Sequence, residues 1–165
     1  MSKYDPEDLL DDLAAWCKAK LPQRLLDIEA EKIAKNKGVT GGLVAVPDAA
    51  YYLQAWDNNI LQHTAAIFYG VEDVTAQDIG AGQTAIGLKI FFEIVLTDMN
   101  QYGDVHKRIA RYSRALREIF EEYVKENSYI SRTKIEQVRP ISFKLELDTS
   151  EETNVGGVSI STSII

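Results

Sequence analysis

The sequence predicts an α+β fold: an antiparallel sheet with one long helix packed on it, preceded by an N-terminal helical extension. Three stretches carry this reading. Leu88 to Thr97 alternates Ile90, Phe92, Ile94 and Leu96 against Lys89, Phe91, Glu93, Val95 and Thr97, the period of two expected of a strand with distinct faces. Ile141, Phe143, Leu145 and Leu147 alternate in the same way with Ser142, Lys144, Glu146 and Asp148. Between them, from Asp104 to about Asn127, Val105, Ile109, Tyr112, Leu116, Ile119, Phe120 and Tyr123 recur in steps of three and four, which makes one apolar stripe on a helix suited to lie on a sheet.

The remaining elements follow in chain order. Asp5 is placed to cap a helix and Pro6 to occupy its first turn, after which Leu9, Leu10, Leu13, Trp16 and Cys17 keep helical spacing. Acidic Glu7, Asp8, Asp11 and Asp12 lead, and Lys18 and Lys20 close, the order a helix dipole favours. Pro22 interrupts this helix or opens a second one, Gln23 to Lys37, which stops at Gly38. From there VTGGLVAVPDAAYYLQAW shows no sustained period and reads as loop with a short strand. His63 to Val71 is a strand. Glu72 to Gly87 contains Gly80, Gly82 and Gly87 with no apolar periodicity, so it reads as a protruding hairpin loop, too long for a plain connection. After the long helix come strands at about Ile135 to Asp148 and Val158 to Ile165, with TSEETNVGG as the turn between them. Pro140 removes a ladder donor, which places that part of its strand at an edge or bulge. The whole is one domain, 1–165, with 1–38 as the extension and 39–165 as the α+β core carrying the loop 72–87.

Composition excludes several functional classes. With 45% hydrophobic and 26% charged residues the 165-residue chain can bury a core. No apolar run approaches a membrane span, and MSKYDPEDLLDD is acidic where a signal peptide is basic, so neither that export route nor an anchor is expected. A net charge of −7 disfavours non-specific attraction to nucleic acid or anionic lipid. Cys17, His63 and His106 are too few for a closed zinc site, and a lone cysteine forms no internal disulfide. The run Gly80-Ala81-Gly82-Gln83-Thr84-Ala85 loosely fits a dinucleotide pattern, but a strand rather than a helix follows it and the P-loop Lys is missing. Neither histidine lies in a motif, and adjacent acids such as Glu121 and Glu122 or Glu151 and Glu152 are better explained by solvation than by catalysis. The expectation is no catalytic residue, no cofactor and no metal.

One charge pattern stands out. Lys107, Arg108, Arg111, Arg114 and Arg117 crowd the first half of the long helix, and Glu118, Glu121, Glu122 and Glu126 the second, against the helix dipole. Pairs Arg114 with Glu118 and Arg117 with Glu121 offset part of that cost. The pattern reads either as a solvated face or as a bipolar surface meeting a partner. On the second reading Arg108, Arg111 and Arg114, together with Asp78, Gly80, Gly82 and Gln83 of the loop, are the candidate subunit or ring interface.

The order LLDDLAAWCKAKLP, AAYYL, a strand, a long loop, LKIFFEIVLTD, VHKRIARYSRALREIF, ISFKLELD and VGGVSISTSI resembles the tail terminator and related head-to-tail connector (neck) proteins of long-tailed bacteriophages. The resemblance covers most of the chain and rests on element order, not on invariant residues. It implies a non-enzymatic virion structural protein, assembled in the host cytoplasm into a hexameric ring in the tail or neck. Such a ring caps the tail tube, stops its growth and offers a docking surface to the head connector. Its partners would be further copies of itself, the tail tube protein and the connector, with DNA passing through without specific binding. The other readings are a different neck or head-completion connector, and a small α+β ligand-binding or regulatory domain.

Overall fold

A computed structural model describes residues 5–39, 41–55, 65–96, 104–127, 131–145 and 148–164. Helix α1 (Pro6–Ala34) is followed by a short 3-10 turn and by β1 (Tyr51–Leu53), β2 (Ala65–Gly80) and β3 (Gln83–Leu96). Helix α2 (Val105–Glu126) then precedes β4 (Ser131–Leu145) and β5 (Asp148–Ile164). The five strands form one sheet in the order β1-β2-β3-β5-β4. The fold is α+β, with α2 lying on the sheet as its apolar stripe requires. The sheet is mixed, because β1 pairs with β2 in parallel while every other pair is antiparallel.

Asp5 caps α1 by accepting from the Glu7 N–H at 2.8 Å, with Pro6 in the first turn. The expected break at Pro22 is absent and one helix runs through it. Pro22 removes one ladder donor, but Leu21 and Leu25 on either side are buried and hold the helix to the core. Leu9, Leu10, Leu13, Cys17, Leu21, Leu25 and Ile28 all belong to the single core cluster, so α1 is integral to the body. The helix ends at Ala34, short of Lys37, with Asn36 in the left-handed region at φ 55°. Trp16 Nε1 donates to the Ile119 carbonyl at 2.7 Å, Arg24 pairs with Glu118 and Glu122, and Glu29 meets Arg111, so α1 runs antiparallel to α2.

On the sheet, Ile90, Phe92, Ile94 and Leu96 are fully buried under the helices, the face that alternation assigned to them. Tyr69 stacks on Phe92, and Phe92 meets Phe120 of α2 with ring centroids 4.6 Å apart. Thr97 and His63 lie outside the described residues.

Two segments read as loop or turn are strand. Residues 72–80 and 83–87 continue β2 and β3 into a long hairpin, joined by Ala81 and Gly82 with φ 53° and 71°. Two successive positive φ values are what a two-residue hairpin turn matching strand twist demands. The segment TSEETNVGG is likewise part of β5, which lies between β3 and β4. β4 begins earlier than expected, at Ser131, and ends at Leu145; Leu147 lies outside the described residues. Pro140 sits on this edge strand within a register shift between Val138 and Ile141, as its missing N–H requires.

The glycine pair in β5 is needed for close approach. A Cβ on Gly156 would stand 2.7 Å from Ser113 Oγ and 2.8 Å from Ile109 Cγ1, so this glycine lets α2 settle onto the sheet. A Cβ on Gly157, at φ 149°, would stand 2.1 Å from the Phe92 carbonyl oxygen of β3. Gly157→Ala therefore combines an unfavourable backbone conformation with a clash against main chain. A loss of about 3 kcal/mol or more in urea-unfolding free energy is expected; an unchanged midpoint and slope would contradict the packing described.

Candidate functional site

The arginine-rich half of α2 is the first place the sequence directs attention, and its geometry corrects the expectation of an exposed face. Arg108 is 1% exposed and Arg111 7%. The described residues between α1 and the 3-10 turn have no regular structure, so their carbonyls need donors from elsewhere. One side of α2 supplies them. Arg108 donates to the Gly42 carbonyl, Arg111 to that of Lys37, and the Tyr112 hydroxyl to that of Val44. Arg111 also meets Glu29 of α1 at 2.9 Å, and Glu29 accepts the Val39 N–H at 3.0 Å. Burial pushes the Tyr112 phenol up, although Arg108 and the bond to Val44 oppose this. A guanidinium on a long stem satisfies several carbonyls while its methylenes remain in apolar surroundings, which is why these positions are basic yet internal.

Arg114 is different. It is about one-third exposed, donating to Glu31 at 2.8 Å and to Glu118 at 2.7 Å. Its hydrogen bond, joined by that of Lys35, holds the Glu31 carboxyl down to about 2. The pairs Arg114–Glu118 and Arg117–Glu121, the latter at 3.0 Å, are those the spacing predicted. Glu122 also reaches across to Lys20 and Arg24 of α1. The bipolar charge of α2 is thus largely spent within the subunit. Beside it lies a cleft of about 570 Å³ lined by Lys32, Lys37, Lys107 and Arg114 among others. Lys107 is paired with Asp104 and Lys32 with Glu31, which weakens its attraction for an anion.

The hairpin residues have a different setting. Asp78, Gly80, Gly82 and Gln83 are all exposed, at the tip of the β2–β3 arm. Asp78 Oδ1 accepts the Gly80 N–H at 2.8 Å and tightens the turn. Among the described residues no helix begins at these glycines, which lie in a strand-to-strand turn instead of the strand-to-helix turn of a phosphate cradle. The arm exposes Val71, Val74 and Ile79. Sequence reading missed these because strand periodicity is broken by register shifts between Val71 and Asp73 and between Asp78 and Gly80. The available signal was the β-branched series Val74, Thr75, Ile79, Thr84 and Ile86 on both sides of a short Ala-Gly turn.

On the sheet face away from the helices, Glu93 sits half-buried opposite Gly157 and Phe68. Burial, with Glu72 nearby, pushes its carboxyl up. Cys17 is wholly buried, 3.7 Å from the Tyr51 hydroxyl, and burial pushes its thiol up to about 12. His106 lies exposed near the start of α2. Among the described residues no group of three His, Cys, Asp or Glu side chains is placed to hold a metal ion, and no helix is long and apolar enough to cross a membrane. No known protein-family model matches the chain, and no curated protein does.

Two outcomes test this geometry. Arg111→Ala leaves Glu29 buried without its cation and should cost about 3–5 kcal/mol, whereas Arg114→Ala should cost about 1 kcal/mol or less; urea unfolding of both variants reads the difference. Because Glu93 holds its proton more tightly when folded, the native state gains stability as pH falls towards the ordinary carboxylate range and loses it as pH rises through the raised value. Glu93→Gln should therefore be more stable than the parent at pH 7 and lose that advantage below about pH 4, as followed by thermal melts across pH.

Proposed function

We propose that this chain is a virion structural protein of a long-tailed bacteriophage, a tail terminator subunit. In this role it forms a ring that caps the tail tube and presents a docking surface to the head connector. The observation that carries the reading is the β2–β3 arm, whose outer part is exposed from Val71 to Thr84 and bears Val71, Val74 and Ile79 in solvent. Apolar side chains on an exposed, extended arm are a feature of contact between subunits. The element order supports the same reading: a leading helix, a short strand at AAYYL, a long hairpin, a helix and a closing hairpin. The net charge of −7 suits a ring through which DNA slides, since it opposes the counterion-release attraction that makes basic surfaces adhere.

Arg108 and Arg111, occupied inside the subunit, take no direct part in the proposed ring contact; Arg114 and the arm tip remain accessible to it. Closure follows from heterologous contacts whose rotation completes a circle. Electron microscopy of the purified protein and of tails bearing it should show a closed ring, most simply of six subunits, at the head-proximal end of the tail tube. Location elsewhere in the neck would assign it to a different connector ring. Particles without it in tail or neck would overturn the reading, and a monomer that binds a small ligand would favour a regulatory domain.

A further inference from the structure

The sheet has two open edges of opposite charge. β1 covers β2 only from Ile67 to Tyr69, and beyond that no described strand pairs with the outer side of β2. This free stretch, 70–80, carries Glu72, Asp73 and Asp78 and no basic residue. At the other edge, β4 pairs only with β5 among the described strands. In a chain of net charge −7, its sequence holds Arg132, Lys134, Arg139 and Lys144 against Glu136 alone, which Lys134 meets along the strand, as Lys89 meets Glu72 beside the other edge. An unpaired edge bearing exposed valine and isoleucine is a template for another strand.

The register makes the two edges fit. Asp73 lies opposite Lys89, Lys89 opposite Ser161 and Ser161 opposite Lys134, so Asp73 and Lys134 end the same row across the sheet. Val71, Ile90, Ile160 and Ile135 form a second row, with the end residues Val71 and Ile135 less buried than the middle pair. Three successive antiparallel pairings make β2 and β4 run in opposite directions. A rotation about an axis along the strands preserves direction, so it sets β2 of one copy antiparallel to β4 of the next. The register shift at Val138 and the proline at 140 interrupt the far half of β4, which leaves the half level with the arm for pairing.

We propose that the chain assembles by edge addition, the acidic free stretch of β2 in one copy pairing antiparallel with the basic β4 edge of a second copy, so that the sheet runs continuously from subunit to subunit. This specifies the contact within the ring reading above, and its own test separates the two. Asp73 and Lys134 become cross-strand neighbours in the unstaggered arrangement, whereas a stagger of two residues sets Thr75 beside Lys134 and Asp73 opposite Glu136, so charge favours the unstaggered register. Opposite charges across strands set register and exclude like edges, since β2 against β2 or β4 against β4 would bring equal charges together.

The test is disulfide trapping in the full chain, with Asp73→Cys/Lys134→Cys and Thr75→Cys/Lys134→Cys, each compared with its single variants under mild oxidation. Within one subunit the two strands are three inter-strand steps apart, roughly 14 Å, beyond the roughly 7 Å a disulfide spans. Cys17 is buried and stays silent. At least one double variant should give a reducible ladder of covalent oligomers, while the single variants remain uncross-linked. Dimers from a single variant would show a like-edge contact and overturn the proposal, as would absence of a ladder from both doubles. A ring seen by microscopy without a ladder overturns the edge pairing and leaves the ring reading standing; a ladder that never closes does the reverse. As a second measurement, Glu72→Lys/Asp73→Lys should raise the concentration for half-assembly at least tenfold, and adding Arg132→Glu/Lys134→Glu should restore it. Failure of that rescue, with both variants folded by circular dichroism, also overturns the pairing.

Discussion

The buried contact between Arg111 and Glu29 is the constraint on which the body depends. It joins α2 to α1 at 2.9 Å, with both side chains less than a tenth exposed. Such a pair gains little over an apolar pair, but losing one partner is costly, so it acts as a demand for one specific arrangement. Each partner is held further: Arg111 by the Lys37 carbonyl, Glu29 by the Val39 N–H. Arg108 and Tyr112, on the same side of α2, bind Gly42 and Val44. The helix thereby fixes the path by which the chain leaves α1 and reaches β1, and with it the placement of the parallel edge strand.

The two helices then divide the sheet. α2 settles where Gly156 gives it room and brings Phe120 onto Phe92. α1 approaches beside β1, where Cys17 meets Tyr51. The body is filled at the end of the sheet near Leu96 and Ala65, where both strands of the hairpin are buried. At the other end the hairpin leaves the body with no helix over it and β1 no longer alongside. A buried end and an exposed arm follow from how far the helices reach, and the proposed assembly uses the part left uncovered.

The arginines illustrate how charge can mislead when read along a chain. A cluster of cations in a helix is ordinarily solvent-facing, because burying an unpaired charge is expensive. Arg108 and Arg111 lie three residues apart, and Tyr112 lies beside them on the turn, flush with the apolar stripe of Ile109 and Leu116. That position next to the stripe was visible. The carbonyls and the Glu29 carboxylate that make burial affordable come from residues about 70 to 80 positions earlier, and no local pattern points to them.

What the sequence determined by itself is what depends on neighbours along the chain. Strict alternation in β3, the three-four spacing of α2, the Asp5 cap and the Arg–Glu pairs one turn apart are set within a few residues, and they stand in the structure as the spacing required. Tertiary structure decided whatever local preference left balanced or opposed. Pro22 remains helical because its flanking leucines are buried, and the Gly156–Gly157 pair is strand because α2 and β3 press on it from two sides. The polar arm is strand because each half completes the other's backbone hydrogen bonds across a two-residue turn. In each case the deciding energy comes from atoms distant in sequence, burial for the helix and pairing for the strands, and only the folded chain brings them together.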